Sequence, residues 1–498
     1  MKNFYVPERF KGRTGYQIFV DRYFRAEPAI PEVEDRRIKD WKDSNPDWRP
    51  DADGVYRNEY FYGGDLQGII QKLDFIKSLG FNLIYLSPIS KTHSNHHYDV
   101  ENQFIIDPYI GDKNDFKKLC EEAHKRDILM CVDLVFNHMG ARSEAFQEAI
   151  NGNSNYIKWF EWNSKGNPVY WYGFLDMPQC NKLNPEYQDY TFEVAKEHIT
   201  NGADGIRLDL GEILPIEFLR NFNKFVKELN EEILIVSEMW DLDTHRSVSQ
   251  LDGTQVDSVM NYPLSDAIIR WQRWKNVPHI QYTLNELAKY PSEARDVLWN
   301  FLDSHDTPRA ITMLTGEGMN PEPFSGRVWD IEAPWRSAHG FDTYNFRKWE
   351  RNHDTPNMEI AIKELKLASL AQYMMKGTPI VFYGTEAGLS GYKDPFNRKP
   401  YPWDNINSEL LNHYRNIGKM REEFMPIFAT GEQYENITEE TMKIVRCKNG
   451  HKLICWINAC DYEVRIDNID TGGDEILNIR GCSGKVLSPK GAIVYYYE

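Results

Sequence analysis

The chain has 498 residues, of which 41% are apolar and 27% are charged, and its formal net charge is −17. The length predicts two or three domains. The acidic excess argues against nucleic acid or an anionic membrane surface as partner, because both attract cationic side chains. We therefore expect a neutral ligand, and the 14 Trp and 28 Tyr residues offer flat faces of the kind that sugar rings contact.

The first residues and the cysteines indicate where the protein resides. The start, MKNFYVPERFKGRTGYQIF, has charges and a proline where a signal peptide needs an apolar segment. No apolar run is long enough to span a bilayer. The seven cysteines include no CxxC pair, so we expect free thiols and no metal cluster of the usual spacing. These features predict a cytoplasmic protein without a membrane partner.

Strand-like and helix-like segments alternate over most of the chain. One predicted helix has Asp65 near its start and Gly80 as its stop, and a second spans 114–127 with Asn114 or Asp115 near its cap. Eight strand and helix units predict an α/β fold, the parallel (β/α)₈ barrel, rather than an open sheet. The predicted strands are 15–23, 82–89, 128–138, 205–210, 233–240, 258–264, 296–306 and 379–386.

Three segments stand apart from this alternation. Residues 139–186, which follow the third strand and are rich in Asn, Gly, Trp and Tyr, form an insertion in the predicted barrel of 1–138 and 187–423. Residues 313–356 follow the seventh strand. Residues 424–498 contain short strand-like runs such as MKIVRC, KLICWIN and GAIVYYY with turns between them. This last pattern predicts a C-terminal antiparallel β-sandwich domain.

Acidic residues occur where three of the predicted strands end, which is where barrels of this type carry their chemistry. They are Asp209, Glu238 and Asp306, on the fourth, fifth and seventh strands. Arg207 shares a strand face with Asp209. The two residues form either a structural ion pair or a site in which the cation keeps the carboxylate ionised. Three carboxylates aimed at one point repel one another, which favours an active site.

Glycoside hydrolysis with retention of configuration is a reaction that uses such carboxylates without a metal. Asp209, beside Arg207, is suited to remain ionised as the nucleophile. Glu238 is followed by Met239 and Trp240 in an apolar segment, and desolvation favours its protonated form as the acid. Asp306 is then free to bind sugar hydroxyls.

Four short segments follow one another in a familiar order: DLVFNH (133–138), GIRLD (205–209), EMW (238–240) and FLDSHD (301–306). With NLIYLSPI (82–89) and GTPIVFYGTE (377–386), they resemble glycoside hydrolase family 13, the α-amylase family. The resemblance implies the (β/α)₈ barrel, with 139–186 as domain B and the β module as domain C. It implies Asp209 as nucleophile, Glu238 as general acid/base and Asp306 as transition-state stabiliser. It also implies a sugar subsite made of Tyr98, Asp99, His138, Arg207 and His305.

Two further segments are similar to the neopullulanase and cyclomaltodextrinase group of that family. MPQCN (177–181) resembles the MPKLN segment of the group, although Gln179 and Cys180 differ from it. GYKDPFNRKPYPW (391–403) resembles a loop whose Asp and Arg bind the non-reducing side of the substrate, here Asp394 and Arg398. A structural or phosphate-like role of this loop is the alternative. Trp240, after the predicted acid, is a further candidate for substrate binding.

The chain also departs from the family pattern. Because the first predicted strand begins near residue 15, we expect the extra amino-terminal domain of cyclomaltodextrinases to be missing. That domain supports dimerisation in those enzymes, so both a monomer and a homodimer are open. Many α-amylases carry a Lys-His pair after the nucleophile that contacts substrate and calcium. Here Leu210, Gly211, Glu212 and Ile213 follow Asp209, although Asn137 is retained. We expect no cofactor, and the residues after the nucleophile do not support a structural calcium.

The sequence thus predicts a retaining hydrolase of α-1,4-linked malto-oligosaccharides, cyclodextrins or starch fragments, with tolerance of α-1,6 bonds. An α-glucosyl transferase or sucrose-type glucosidase is the enzymatic alternative. A non-catalytic binding relative is the alternative of another class, but all three carboxylates are retained. Residues 313–356 either narrow the acceptor side of the site or pack on the surface of the barrel.

Overall fold

The structure is a computed structural model that describes residues 4–26, 36–43, 58–240, 244–315, 357–392 and 394–498. Residues 316–356 lie outside this range, so both interpretations of the 313–356 segment remain predictions. No helix in the described part of the chain is both long and apolar enough to cross a membrane.

Eight parallel strands close into a barrel in which each strand pairs with its neighbours in chain order. The last strand pairs with the first, with Gly15 opposite Ile380. Every predicted strand segment overlaps one of them, which confirms the (β/α)₈ prediction. The strands are β1 (Gly15–Ile18), β2 (Leu83–Leu86), β3 (Leu129–Leu134), β4 (Gly205–Leu208), β5 (Leu234–Ser237), β6 (Ser258–Asn261), β7 (Trp299–Asn300) and β8 (Thr378–Phe382).

Two helix starts test the predicted caps. Helix α1 (Leu66–Ser78) begins after Asp65, whose side chain accepts from the backbone N–H of Gly68, as predicted. Helix α2 (Lys113–His124) has Asp112 as its N-cap residue, and Asn114 and Asp115 lie two and three residues after it, near the cap as predicted. Asp115 accepts from the backbone N–H of Asp112 at 3.0 Å, which completes a capping box of these two residues.

The other helices follow in chain order over the described residues. They are α3 (Glu144–Ile150), α4 (Ser154–Ile157), α5 (Pro185–Thr200), α6 (Ile216–Leu229), α7 (Thr244–Gln250), α8 (Tyr262–Trp274), α9 (Val277–Leu287), α10 (Ser292–Asp296), α11 (Ala310–Thr315), α12 (Met358–Met374), α13 (Ser408–Glu423) and α14 (Met425–Thr430). Short 3₁₀ turns lie at Glu8–Phe10, Val20–Arg22, Trp171–Gly173, Gly211–Ile213 and Phe396–Arg398.

Successive residues of each barrel strand point alternately to the helices and to the lumen. On β4, Ile206 belongs to the apolar layer under the helices. Arg207 faces the lumen, in register with Asp133 of β3. The lumen below it is filled by apolar side chains, including Tyr85, Met260 and Trp299. This places a fully buried guanidinium at the carboxyl end of an otherwise apolar barrel interior.

The insertion, residues 139–186, contains α3, α4 and the first two residues of α5. Isolated β-bridges, such as Phe160 with Cys180, hold its loops together, and His138 pairs with Gln179 at the barrel. Two short strand pairs lie near the barrel mouth: the antiparallel pair Ser90–Lys91 and Asn102–Ile106 and the parallel pair Arg37–Ile38 and Tyr60–Phe61.

The C-terminal module has a five-stranded antiparallel sheet of order β9, β10, β11, β15, β13 and a two-stranded sheet of β12 and β14. A buried cluster that includes Trp456, Leu487 and Ile493 joins the two sheets, as in the predicted sandwich. The strands are β9 (Glu432–Ile437), β10 (Thr441–Lys448), β11 (His451–Asn458), β12 (Val464–Arg465), β13 (Asp474–Ile479), β14 (Val486–Leu487) and β15 (Ala492–Tyr497).

One arginine connects the module to the barrel. Arg446 of β10 is fully buried. Its guanidinium donates to the carbonyl of Met374, where α12 ends, and to the carbonyls of Ile427, Phe428 and Gly431 at 3.2–3.3 Å. The cation therefore joins the end of the barrel helix α12, and the segment around α14 that opens the module, to the sheet of the module.

Candidate active site

Arg207 lies at the centre of the candidate site. Its Nη1 donates to both oxygens of Asp133, at 2.8 and 3.0 Å, and to Oδ1 of Asp209 at 3.0 Å. Its Nη2 is 2.8 Å from Oε2 of Glu238. One buried cation thus joins the carboxylates at the ends of β3, β4 and β5. The pair predicted from the sequence is part of a larger network.

Asp209 presents one free oxygen to the site. Its Oδ2 is buried and accepts no hydrogen bond from any described residue. Burial raises the pKa of Asp209 well above its usual value, and the charges of Glu238 and Asp133 act in the same direction, whereas Arg207 lowers this pKa. Arg207 favours the ionised form of Asp209 but is shared among three carboxylates, so the prediction that it keeps Asp209 ionised stays a prediction.

Glu238 is surrounded by donors, whereas the sequence predicts an apolar surround. Its Oε1 accepts from the indole Nε1 of Trp240 and its Oε2 from the backbone N–H of Leu210, both at 2.6 Å. Leu210 adopts a left-handed conformation, with φ 50° and ψ 32°. The turn of the chain directly after Asp209 therefore supplies a donor to the neighbouring carboxylate, which fixes the position of Glu238.

Trp240 is placed differently from the prediction that it binds substrate. It is only 4% exposed, and its ring stacks on Tyr262 at a centroid distance of 3.9 Å. One face and the N–H of this buried indole are thus in contact with other protein side chains. The structure makes Trp240 a residue that orients Glu238.

Asp306 lies beside two cationic or donor groups. Its Oδ2 is 3.0 Å from Nε2 of His305 and its Oδ1 is 3.5 Å from Nη2 of Arg398. Burial, with a contribution from the charge of Glu238, raises the pKa of Asp306 to about 7. Arg398 also contacts Asp394 at 3.2 Å and donates to the carbonyl of His305 at 2.9 Å. The structure therefore brings the predicted Asp394 and Arg398 pair to the same site.

Tyr98 and His305 form a stacked pair that completes the network. Their ring centroids are 5.3 Å apart, with an angle of 6° between the planes. The hydroxyl of Tyr98 is 2.6 Å from Nε2 of His305 and donates to Asp133 at 2.9 Å. Nδ1 of His305 is 2.7 Å from the amide nitrogen of Gln17. Burial and the nearby Arg398 lower the pKa of His305 well below its usual value, which favours a neutral ring.

His138 contacts the backbone of Tyr98, and Asp99 is the next residue of the chain. Nε2 of His138 is 3.1 Å from the backbone carbonyl of Tyr98, and the imidazole stacks on Trp171 of the insertion. Burial lowers the pKa of His138 to about 4. Asp99 accepts from the hydroxyls of Thr92 and Ser94, and burial raises its pKa to about 7. Both predicted residues are thus near the subsite, with protein partners of their own.

The sequence interpretation left several members of the network out of the site. Asp133 was visible as the first residue of DLVFNH, and its four contacts with Arg207, Tyr98 and Tyr85 make it the hub of the network. Gln17 faces the lumen in the first strand, where an amide interrupts an apolar pattern. For Trp171 the sequence offered no comparable signal.

Comparison with known proteins identifies the family. The family model described as the catalytic domain of alpha-amylase matches residues 6–324. The chain belongs to the α-amylase family. The chain is a hydrolase of this family, glycoside hydrolase family 13, and the network of Asp209, Glu238 and Asp306 lies at the family segments of this chain.

Relatives with curated names extend the family match over the whole chain. A cyclomaltodextrinase of Geobacillus thermopakistaniensis (strain MAS1) is 31% identical over 96% of this chain and 74% of its own length. Neopullulanase 2 of Thermoactinomyces vulgaris is 32% identical over 84% of this chain and 64% of its own length, so this chain covers less than two thirds of that relative. A cyclic α-maltosyl-(1→6)-maltose hydrolase of Arthrobacter globiformis has a similar structure, with a TM-score of 0.79, 27% identity and coverage of 99% of this chain and 100% of that one.

The raised pKa of Asp306 predicts a pH dependence of stability in this family member. Between pH about 4 and the folded value of about 7, the unfolded chain releases this proton while the folded chain retains it, so the free energy of unfolding falls as pH rises. Asp306→Asn removes the titration. As pH rises from about 4 to about 7, we expect the Tm of the wild type to fall relative to that of the variant. Solvent reduces the size of this difference in Tm, because the Asp306 side chain is 23% exposed. A difference in Tm that is constant or that grows with pH contradicts the assignment.

Proposed function

We propose that this chain is a retaining α-glucan hydrolase that cleaves α-1,4 and α-1,6 glucosidic bonds in malto-oligosaccharides, cyclodextrins and starch fragments. The observation that supports this most directly is the arrangement around Arg207. One guanidinium contacts both Asp209 and Glu238, and the outer oxygen of Asp209 accepts no hydrogen bond from the described residues. A nucleophile and an acid beside each other are what retention requires.

In the first step, Oδ2 of Asp209 forms a bond to the anomeric carbon while the glycosidic C–O bond breaks. Glu238 transfers a proton to the departing oxygen. In the second step, Glu238 takes a proton from water, the water oxygen bonds to the anomeric carbon, and Asp209 is released. Atoms balance over the cycle, because one water is consumed for each bond cleaved.

The site holds the proton that the first step needs. Arg207 is a single cation facing Asp133, Asp209 and Glu238, and burial favours the neutral form of Asp209. We infer that the cluster retains one proton and that substrate binding moves it from Asp209 to Glu238. This movement produces the anionic nucleophile and the neutral acid together.

The remaining residues bind the sugar. The stacked Tyr98 and His305 offer an aromatic platform for the ring before the cleaved bond, and Asp306 accepts from its hydroxyls. The Asp394 and Arg398 pair bounds the non-reducing side. The names of the relatives, a cyclomaltodextrinase, a neopullulanase and a hydrolase of a cyclic (1→6)-linked maltose dimer, support both linkages.

An intracellular location belongs to the same proposal. All seven cysteines lie in the described residues and none forms a disulfide, as expected in a reducing compartment. Monomer and homodimer remain alternatives that gel filtration of the purified chain distinguishes. No organic cofactor enters the proposed chemistry.

The products formed from a panel of substrates test this function. We expect maltotriose, β-cyclodextrin, pullulan and panose to be cleaved and sucrose to be left intact. The first product detected by NMR should carry the α configuration at its new reducing end, because two displacements restore it. A β-configured first product contradicts retention, and larger oligosaccharides formed from maltotriose identify a transferase.

A further inference from the structure

A buried lysine connects the insertion to the barrel. Lys182, near the end of the insertion, exposes only 6% of its side chain. Its ammonium is 2.8 Å from Oε1 of Glu161 and 3.3 Å from the amide oxygen of Asn137. Buried lysines are rare unless they are paired. Here the two partners belong to different parts of the chain, because Glu161 lies in the insertion and Asn137 follows β3.

Both partners are themselves held firmly. Asn137 is fully buried, and its backbone carbonyl accepts from the N–H of Cys180 at 2.9 Å. Glu161 takes part in the bridges of the insertion: its N–H donates to Gln179 and its carbonyl accepts from Val169, both at 2.9 Å. The ammonium therefore joins two fixed acceptors across the boundary between the insertion and the barrel.

This arrangement disagrees with a calcium ion at Asn137. Calcium takes six to eight oxygen ligands, whereas the amide oxygen of Asn137 already faces an ammonium at 3.3 Å. Two cations on one oxygen repel each other. In the described part of the chain, no group of three or more His, Cys, Asp or Glu side chains is placed to hold a metal. The donor set around Asn137 suits an ammonium and does not suit calcium.

A series of contacts leads from this ammonium to the sugar platform. The amide nitrogen of Asn137 is 3.5 Å from Nδ1 of His138, and Nε2 of His138 is 3.1 Å from the backbone carbonyl of Tyr98. Tyr98 then contacts Asp133 and His305 through its hydroxyl. A shift of Asn137 would thus be passed to the ring that Tyr98 offers the substrate.

We propose that Lys182 is a positioning residue whose ammonium supplies, from within the chain, the positive charge that holds the insertion on the barrel and keeps Tyr98 in place without calcium. The part that concerns Tyr98 rests on the proposed function. The part that concerns calcium does not, because it is tested by stability as well as by activity.

The variant Lys182→Met keeps the apolar stem and removes the charge. We expect kcat on maltotriose to fall about tenfold or more at a temperature where the variant is folded, because a displaced Tyr98 misorients the cleaved ring. KM should change much less. Lys158→Met is the matched control, because Lys158 pairs with Glu186 at the surface of the same insertion, with 43% of its side chain exposed. We expect this control to keep both kinetic constants.

Calcium is tested on the wild type. Excess EDTA and millimolar calcium should leave both Tm and kcat unchanged, and a fall of either in EDTA overturns the proposal. An unchanged kcat in folded Lys182→Met overturns the positioning role, even if Tm falls. If Lys182→Met does not fold, Glu161→Gln, at a partly exposed position, gives the same comparison with a smaller expected loss. If the wild type cleaves no α-glucan, the proposed function fails while the Tm measurements still decide the question of calcium.

Discussion

Replacing Asp209 by asparagine should lower kcat on maltotriose by several orders of magnitude. The amide keeps the size of the side chain and its contact with Arg207 but lacks the anionic oxygen that bonds to the anomeric carbon. Initial rates measured by chromatography of the products provide the test. Asp127→Asn is the control, because Asp127 is a surface carboxylate paired with Arg13, and its backbone φ of 54° is one that asparagine tolerates.

The fold of the variant must be shown to be intact, for which the near-UV circular dichroism of its many buried aromatic residues is a sensitive measure. If folded Asp209→Asn turns over at a rate near that of the wild type, Asp209 is not the nucleophile, and another carboxylate in contact with Arg207 has to carry that role.

Replacing Glu238 by glutamine should also abolish most turnover of maltotriose, but with a distinct signature on an activated substrate. Fluoride leaves without a proton, so maltosyl fluoride should still transfer its glycosyl group to Asp209 in this variant. Release then needs a base to activate water, and that base is missing. We expect the covalent adduct to accumulate and to be visible as one added maltosyl group in the mass of the intact protein.

Peptide mapping should place this adduct on Asp209. The double variant Asp209→Asn with Glu238→Gln is the control and should form no adduct. An adduct on Asp306 or Asp133 would contradict Asp209 as the nucleophile. Full activity of Glu238→Gln on maltotriose would contradict Glu238 as the acid and base.

The barrel could be predicted from the sequence because its pattern is local. Each strand is an apolar run bounded by a helix or a turn, and the polar exceptions Arg207 and Asp209 lie where a strand ends. Since the ends of eight parallel strands meet at one face, the convergence of Asp209, Glu238 and Asp306 follows from their positions alone. The structure shows Asp209 and Glu238 on one guanidinium.

The surroundings of those carboxylates could not be predicted in the same way. The surroundings of Glu238 look apolar in the sequence because its neighbours are Met239 and Trp240. In the structure its carboxylate accepts from the backbone N–H of the left-handed Leu210 and from the Trp240 indole, which stacks on Tyr262. Both depend on the conformation of a turn and on packing between strands. The charge balance of Asp209 depends in turn on how many carboxylates Arg207 contacts, which only the folded structure shows.

The burial of Arg446 has a consequence for how such chains are assembled from parts. Its guanidinium exchanges water for the carbonyl of Met374 at the end of a barrel helix and for three carbonyls of residues 427–431. Separating the module from the barrel would take the Met374 carbonyl away from this buried charge and leave both groups short of a partner. Recombination between relatives therefore cannot exchange the β module without also keeping this contact with the barrel. A recipient barrel would have to present a carbonyl at the place of Met374, and melting should take both bodies together in a single transition.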